Sequence, residues 1–251
     1  YTGNTSVRAV ASNTTSVLSI GAYSASAGVG SPAIGGFGLL PATTQLNIVA
    51  GTSGLTNANS RVELSGSTQT VKSLGTAELA GTKVFDFGGG TLNIANPAGL
   101  VSSGLFAGTF SGLGTINVNG PHAGGWTIRG ENSNPAFNSN VSQRGNINVN
   151  AGLVTFDSDI NGSGEAVGNS VHVFVNTGAT LRVTQQTETV GSLRGSGSLE
   201  LNGASLRLTS APQGGVGLAT WSGTSSGTGR LLLEGASRLR INSNQGYTGR
   251  T

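Results

Sequence analysis

The chain has 251 residues, of which 43 are glycine, 35% are hydrophobic, 9% are charged and 5% are aromatic. This composition excludes a helix-rich fold and a large compact core. The formal net charge of +3, with no clustering of Lys and Arg, argues against a nucleic-acid-binding surface, and the absence of cysteine excludes disulfides and thiolate metal sites.

No apolar run in the chain is long enough for a membrane-spanning helix, so we expect no membrane insertion by this segment. The chain also contains no methionine, even at position 1. We therefore expect it to be an interior or processed piece of a longer protein.

Short strands are predicted wherever two aliphatic residues flank one polar residue, because alternate residues of a strand face the same side. Turns rich in Gly, Asn and Ser separate these triplets, which recur roughly every 10 residues. The clearest examples are Ile116-Asn117-Val118, Ile147-Asn148-Val149, Leu181-Arg182-Val183, Leu199-Glu200-Leu201, Leu206-Arg207-Leu208 and Leu239-Arg240-Ile241.

Internal repeats accompany these strands. Residues 68–74 read TQTVKSL and residues 187–193 read TETVGSL, and five of the seven positions are identical. The chain opens with YTGNT and ends with YTGRT, while FNSNV, which begins at Phe137, occupies the equivalent place between them. These matches predict two long units, 1–136 and 137–246, and the start of a third at 247–251.

A self-similar chain with three-residue strands buries its aliphatic residues only by stacking each turn on the next. We therefore predict an all-β fold, a single right-handed parallel β-helix over residues 1–251 with about 10 to 12 coils. An antiparallel sandwich would need longer alternating strands and primed hairpin turns. We expect asparagine amides to form hydrogen-bonded ladders between coils, and we expect neither end to carry a cap.

The repeat motifs resemble those of bacterial autotransporter passengers, the autotransporter-associated β-strand repeat. The resemblance lies in Tyr1-Thr2-Gly3-Asn4-Thr5, in Tyr247-Thr248-Gly249-Arg250-Thr251 and in the Gly90-Thr91-Leu92 step. Phe137 keeps the aromatic residue of the motif but loses Thr-Gly. The resemblance implies a parallel β-helix, export to the bacterial cell surface and a role in adhesion or display, without catalytic residues.

Asp157 and Asp159 form the closest acidic pair, and their spacing puts both carboxylates on one face of a strand. Such a pair suits either Ca²⁺ binding or the acid chemistry of a carbohydrate-active β-helix enzyme. We expect instead an outward strand end exposed to solvent, because Ca²⁺ needs six or more oxygen ligands and the next acid is Glu165. No cofactor and no metal are expected.

The remaining candidates favour structural roles. His172 alternates with Val171 and Val173, so it is predicted to point outward, whereas His122 lies in a turn. The glycines of FGGGT at 87–91 are predicted to serve corners rather than to bind phosphate. Four arginines make the densest basic stretch, for which we expect a solvated surface, with an anionic partner as the alternative: Arg230, Arg238, Arg240 and Arg250.

Trp126, Trp221, Tyr23 and Phe174 are the sparse aromatic residues most suited to a sugar-binding face. We expect them to pack inside the coil or over its ends instead.

Taken together, the sequence predicts an extracellular structural or adhesive stalk. Its partners would be flanking repeats, identical chains joined end to end, or surface glycans and proteins. A subunit of an end-to-end filament and a carbohydrate-active enzyme remain as alternatives.

Overall fold

The computed structural model of the chain describes residues 4–9, 14–20, 33–36, 39–50, 58–76, 81–95, 104–120, 125–129, 144–158, 166–209, 218–246 and 248–249. No helix in these ranges has the length and apolar character needed to cross a membrane.

Strands and turns account for the described residues. In chain order the strands are β1 (Asn4–Ala9), β2 (Thr15–Ile20), β3 (Ala33–Gly36), β4 (Gln45–Ala50), β5 (Asn59–Glu63), β6 (Thr68–Val71), β7 (Ser73–Thr76), β8 (Thr82–Asp86), β9 (Thr91–Ile94), β10 (Gly104–Ala107), β11 (Thr109–Ser111), β12 (Leu113–Val118), β13 (Trp126–Arg129), β14 (Arg144–Val149), β15 (Gly152–Asp157), β16 (Ser170–Val175), β17 (Ala179–Thr184), β18 (Thr187–Val190), β19 (Ser192–Gly195), β20 (Ser198–Asn202), β21 (Ser205–Leu208), β22 (Ala219–Trp221), β23 (Thr224–Gly227), β24 (Arg230–Leu233) and β25 (Leu239–Ile241).

The strands fall into three faces that the chain visits in turn. The first face contains β1, β4, β7, β10, β13, β15, β17, β20 and β23, with β7 beside β10 where a three-stranded and a six-stranded sheet meet. The second face contains β2, β5, β8 and β11 in one sheet and β18, β21 and β24 in another. The third face is one eight-stranded sheet, β6, β9, β12, β14, β16, β19, β22 and β25.

Neighbouring described strands pair in parallel throughout, each with the strand from an earlier or later passage of the chain. The predicted all-β, parallel arrangement is therefore confirmed. Parallel strands need crossover connections, and here the other two faces provide them. Described strands cross the first face nine times, and Gly246 and Thr248 donate backbone hydrogen bonds to Ser225 and Gly227 where a tenth strand would lie.

The pairing keeps side chains of the same kind in columns. On the third face Ile116 lies between Leu92 and Ile147, and all three side chains are fully buried. Two residues further along, Val118 lies between Ile94 and Val149 in the same way. Because alternate residues face inward, the aliphatic pairs predicted from the sequence form the walls of one continuous core.

One strand departs from the order of passages. β3 follows β2 in the chain but pairs with the edge of β2 opposite to β5. It thereby covers the backbone edge that β2 would otherwise expose on that side.

Aromatic rings form a cluster inside the core. Phe106 and Phe110 stack with ring centroids 4.3 Å apart, and Phe87 stacks on Phe110 at 5.7 Å. Trp126 meets Phe110 edge-on at 6.3 Å, and its indole N–H donates to the Leu74 carbonyl at 3.0 Å. These rings are fully buried, as is Trp221, so the prediction that the tryptophans pack inside is confirmed.

Glycine allows two passages to approach closely at Gly195. This residue has φ +126°, and a Cβ placed on it would lie 2.0 Å from the Val175 carbonyl oxygen of the neighbouring strand. Gly178 also has a positive φ, +82°, yet its Cβ would meet nothing within 4 Å. An alanine at Gly178 therefore costs stability only through backbone conformation, whereas an alanine at Gly195 also clashes with the neighbouring strand.

We therefore expect Gly195→Ala to destabilise the fold more than Gly178→Ala. The Gly178 substitution should cost about 1 to 2 kcal/mol from backbone conformation alone. The Gly195 substitution should add about 1 to 3 kcal/mol, because the β16 backbone must move. Urea unfolding followed by circular dichroism measures both changes. Equal losses would show that the close approach of Gly195 to Val175 does not matter.

Candidate functional site

Asp157 does not form an open acidic site. It lies at the outward end of β15, where its carboxylate is 2.9 Å from Arg129 Nε and accepts a hydrogen bond from the Thr184 hydroxyl at 2.8 Å. Its side chain is only 15% exposed, so the predicted solvated strand end is wrong on this point. Asp159 lies outside the described residues. Within the described part of the chain, no group of three or more His, Cys, Asp and Glu residues is arranged to hold a metal ion.

Four arginines on the first and second faces are paired with acidic side chains, one of them Arg129 with Asp157. Arg182 on β17 lies 2.7 Å from Glu200 on β20, and Arg207 on β21 lies 3.4 Å from Glu234 of the next passage. Arg61 contacts both Glu63, at 2.7 Å, and Asp86 on β8. Each exposed pair contributes little stability, but pairing prevents like charges from stacking about 4.8 Å apart.

Asparagine ladders run along the third face. The Asn117 amide donates to Asn93 Oδ1 at 2.7 Å, and Asn148 donates to Asn117 Oδ1 at the same distance. A second ladder joins Asn119, Asn150 and Asn176 just after the strands, again at 2.7 Å per bond. The predicted ladders are confirmed.

His172 points outward from β16, between the buried Val171 and Val173, as predicted. Its Nδ1 lies 2.8 Å from the Ser192 hydroxyl of β19. Partial burial lowers the pKa of His172, and the nearby positive charge of Arg194 lowers it further. Phe174, two residues later, also faces outward and is half-buried, so the expectation of an inward ring is wrong for this residue.

The predicted basic stretch is divided between faces. Arg230 begins β24 on the second face, whereas Arg240 lies in β25 on the third face, and Arg238 precedes that strand. All three are exposed. Arg250 lies outside the described residues, as do His122 and Tyr23.

The described parts of the terminal repeat motifs reach the same face. Asn4 and Thr5 begin β1, and Thr248 donates its backbone N–H to the Gly227 carbonyl of β23 at 2.9 Å. Gly249 follows directly, so close to the Gly229 carbonyl that a Cβ there would lie 1.4 Å from its oxygen. The other motif residues lie outside the described residues: Tyr1, Thr2, Gly3, Phe137, Tyr247 and Thr251.

Glycines 88 and 89 of the FGGGT segment form the corner between β8 and β9, with φ +49° and +90°. Gly88 donates its backbone N–H to the Asp86 carboxylate at 3.0 Å. The predicted corner role is confirmed.

The internal repeat carries a buried polar residue that the sequence alone does not reveal. Gln69 of TQTVKSL is fully buried, and its amide accepts from Leu40 N–H at 2.9 Å and donates to the Leu40 carbonyl at 2.8 Å. Glu188, at the same repeat position, is also fully buried. The Glu188 carboxylate accepts from Ala166 N–H at 2.8 Å and Val167 N–H at 2.9 Å.

These two side chains have the same structural role. Each forms hydrogen bonds to backbone groups of an irregular segment from an earlier passage and so holds that segment against the core. Glu188 faces N–H donors and also accepts from the Ser158 hydroxyl at 2.6 Å. Gln69 faces one donor and also two carbonyls, those of Leu40 and Thr70. The one sequence signal that could have drawn attention to this site is a polar residue at the same inward position of both copies.

No protein-family model matches the chain, and no curated protein or solved structure is significantly similar to it.

Exchanging the two buried polar residues should destabilise the fold in both directions. In Glu188→Gln the new amide N–H groups face backbone N–H donors, so at least one hydrogen bond is lost. The free energy of unfolding should fall by about 1 to 3 kcal/mol. Gln69→Glu places a carboxylate oxygen against two carbonyls, and the cost should be at least as large. Urea unfolding at neutral pH measures both. Glu200→Gln is the control, because Glu200 is half-exposed and its loss should cost less than about 1 kcal/mol. Equal effects at 188 and 200 would contradict the anchoring role.

The lowered pKa of His172 predicts acid sensitivity. The folded chain binds the proton more weakly than the unfolded chain, so acidification below pH 6.5 favours the unfolded state until both states are protonated. His172→Gln should therefore reduce the drop in melting temperature between pH 7.5 and pH 5.5. Arg194→Gln should reduce it by less, because burial is the larger cause. An unchanged drop in His172→Gln would contradict this assignment.

Proposed function

We propose that the chain is a right-handed parallel β-helix that serves as an extracellular, non-catalytic structural segment of a bacterial surface protein. The observation that carries the proposal is the in-register parallel pairing of all three faces, passage after passage. Crossover connections between parallel strands are right-handed in about 98% of cases, which supports the handedness.

The geometry suits a rigid spacer. Nine passages at about 4.8 Å each give an extent of about 40 Å along the stack. Backbone hydrogen bonds run along that axis and the core is continuous, so tension is shared among several bonds at each step. The ladders and ion pairs add stacking contacts on the outside.

Two further features support surface location. Cysteine is absent and charge is sparse, so the fold depends on repetition instead of cross-links. The motifs at the two ends of the sequence resemble autotransporter repeats, whose passengers are exported. We propose the same location here, with flanking repeats as the immediate neighbours.

Labelling of intact cells tests this proposal. Antibodies raised against the purified chain should label the surface of unpermeabilised source bacteria, and external protease should remove the signal. A cytoplasmic protein labelled in parallel should become visible only after permeabilisation. Signal from this chain only after permeabilisation would overturn the proposed location.

An end-to-end filament is the second candidate. β24 and β25 have no later strand paired with them among the described residues, and Leu233 and Ile241 on these strands are 40% and 37% exposed. A second copy would cover both the backbone edges and the apolar side chains. On the opposite side the outermost described strands are β1, β3 and β6, one on each face.

A further inference from the structure

The third face differs from the other two in its charges. Its eight strands contain Arg144, His172, Arg194 and Arg240 but no Asp or Glu. Among the described residues, neither Arg194 nor Arg240 forms an ion pair, whereas Arg61, Arg129, Arg182 and Arg207 on the other faces all do. Arg8 and Arg230 on the first and second faces also lack an ion pair among the described residues, but they share those faces with acidic side chains. The third face is therefore the one whose strands carry positive charge and no acidic side chain.

These arginines continue the column that the asparagine ladder begins. Register places Asn148 beside Phe174 and Phe174 beside Arg194. Gly195 pairs with Trp221, which puts Arg194 beside Thr220, and Thr220 pairs with Arg240. Arg194 and Arg240 thus lie two strand spacings apart, or about 10 Å along the stack.

Each part of this column offers a different kind of contact. An amide in the ladder donates one N–H and accepts one bond, which leaves a second N–H and a second lone pair free to point outward. The half-buried ring of Phe174 offers an apolar surface between the amides and the arginines. The guanidinium groups are forked donors suited to carboxylates and sulfates.

We propose that this outward column binds one extended chain of an acidic polysaccharide along the axis of the stack. Sugar hydroxyls would meet Asn93, Asn117 and Asn148, a sugar ring would pack on Phe174, and acidic groups would meet Arg194 and Arg240. Nucleic acid fits less well, because it requires more closely clustered basic residues and several stacking rings. The inference rests on the register and charges of this face, not on the proposed extracellular role.

Binding measurements on the whole chain test the proposal. Calorimetry with sodium alginate and with dextran sulfate distinguishes carboxylate from sulfate as the acidic group, and neutral dextran shows whether charge is needed. We expect one or both acidic polymers to bind and neutral dextran to bind much more weakly. In Arg194→Gln/Arg240→Gln, affinity should fall at least about tenfold, and the dependence on salt should become shallower.

The matched control is Arg8→Gln/Arg230→Gln, which removes the same charge from exposed arginines on the first and second faces. This control variant should keep the melting temperature of the wild type and nearly all of its affinity for the acidic polymers, because its third face is unchanged. Phe174→Ser should weaken the binding of alginate or dextran sulfate without changing how that binding depends on salt. Equal losses in the two double variants would overturn the proposal, as would no binding of either polymer. Tighter binding of a dT oligonucleotide than of both polysaccharides would overturn it in favour of nucleic acid.

Discussion

In-register parallel pairing between successive passages is the constraint on which the rest of the structure depends. Once Ile116 pairs with Leu92 on one side and with Ile147 on the other, the remaining residues of those strands are also paired position by position. A residue type is then selected by how well it stacks on its own kind. Aliphatic side chains and asparagine amides stack well, but identical charges about 4.8 Å apart repel one another. This explains both the low charge of the chain and the pairing of Asp86, Asp157, Glu200 and Glu234 with arginines of neighbouring passages.

The corners show how locally the winding is encoded. TQTVKSL spans β6 and β7, which turn from the third face to the first around Lys72 alone. TETVGSL spans β18 and β19, which turn from the second face to the third around Gly191. The pattern continues in Leu92-Asn93-Ile94 of β9 in one copy and in Leu206-Arg207-Leu208 of β21 in the other. The repeat therefore specifies a set of strands and corners, and a given copy can occupy different faces.

Sequence patterns predict the inward residues well because burial imposes a period of two on every strand. The parallel all-β fold, the buried tryptophans, the outward His172 and the asparagine ladders all follow from that period and from stacking. The path of the longer connections could not be predicted in this way. β3 pairs backward on β2, and the described strands between β1 and β4 both lie on the second face.

Side chains that act between passages were also hidden from the sequence. Gln69 and Glu188 alternate with aliphatic residues in the inward positions, and nothing in their own strands shows which distant groups they bind. Their backbone partners Leu40, Ala166 and Val167 lie 21 to 29 residues earlier in the chain. Asp157 and Phe174 show the same limit on the outside. The alternation places both side chains outward, but only the register shows that Asp157 meets Arg129 and that Phe174 joins a column of amides and arginines.

The outward columns are where this architecture has freedom to acquire a function. Inward positions are held by the core, and backbone groups are committed to pairing along the stack. Outward side chains need only avoid like charges on neighbouring passages, and the three faces meet that requirement differently. The first and second faces neutralise part of their charge in pairs such as Arg182 and Glu200. The third face has no acidic side chain in its strands, and Thr220 lies between Arg194 and Arg240, which keeps these two charges apart and leaves both free to contact an anionic partner.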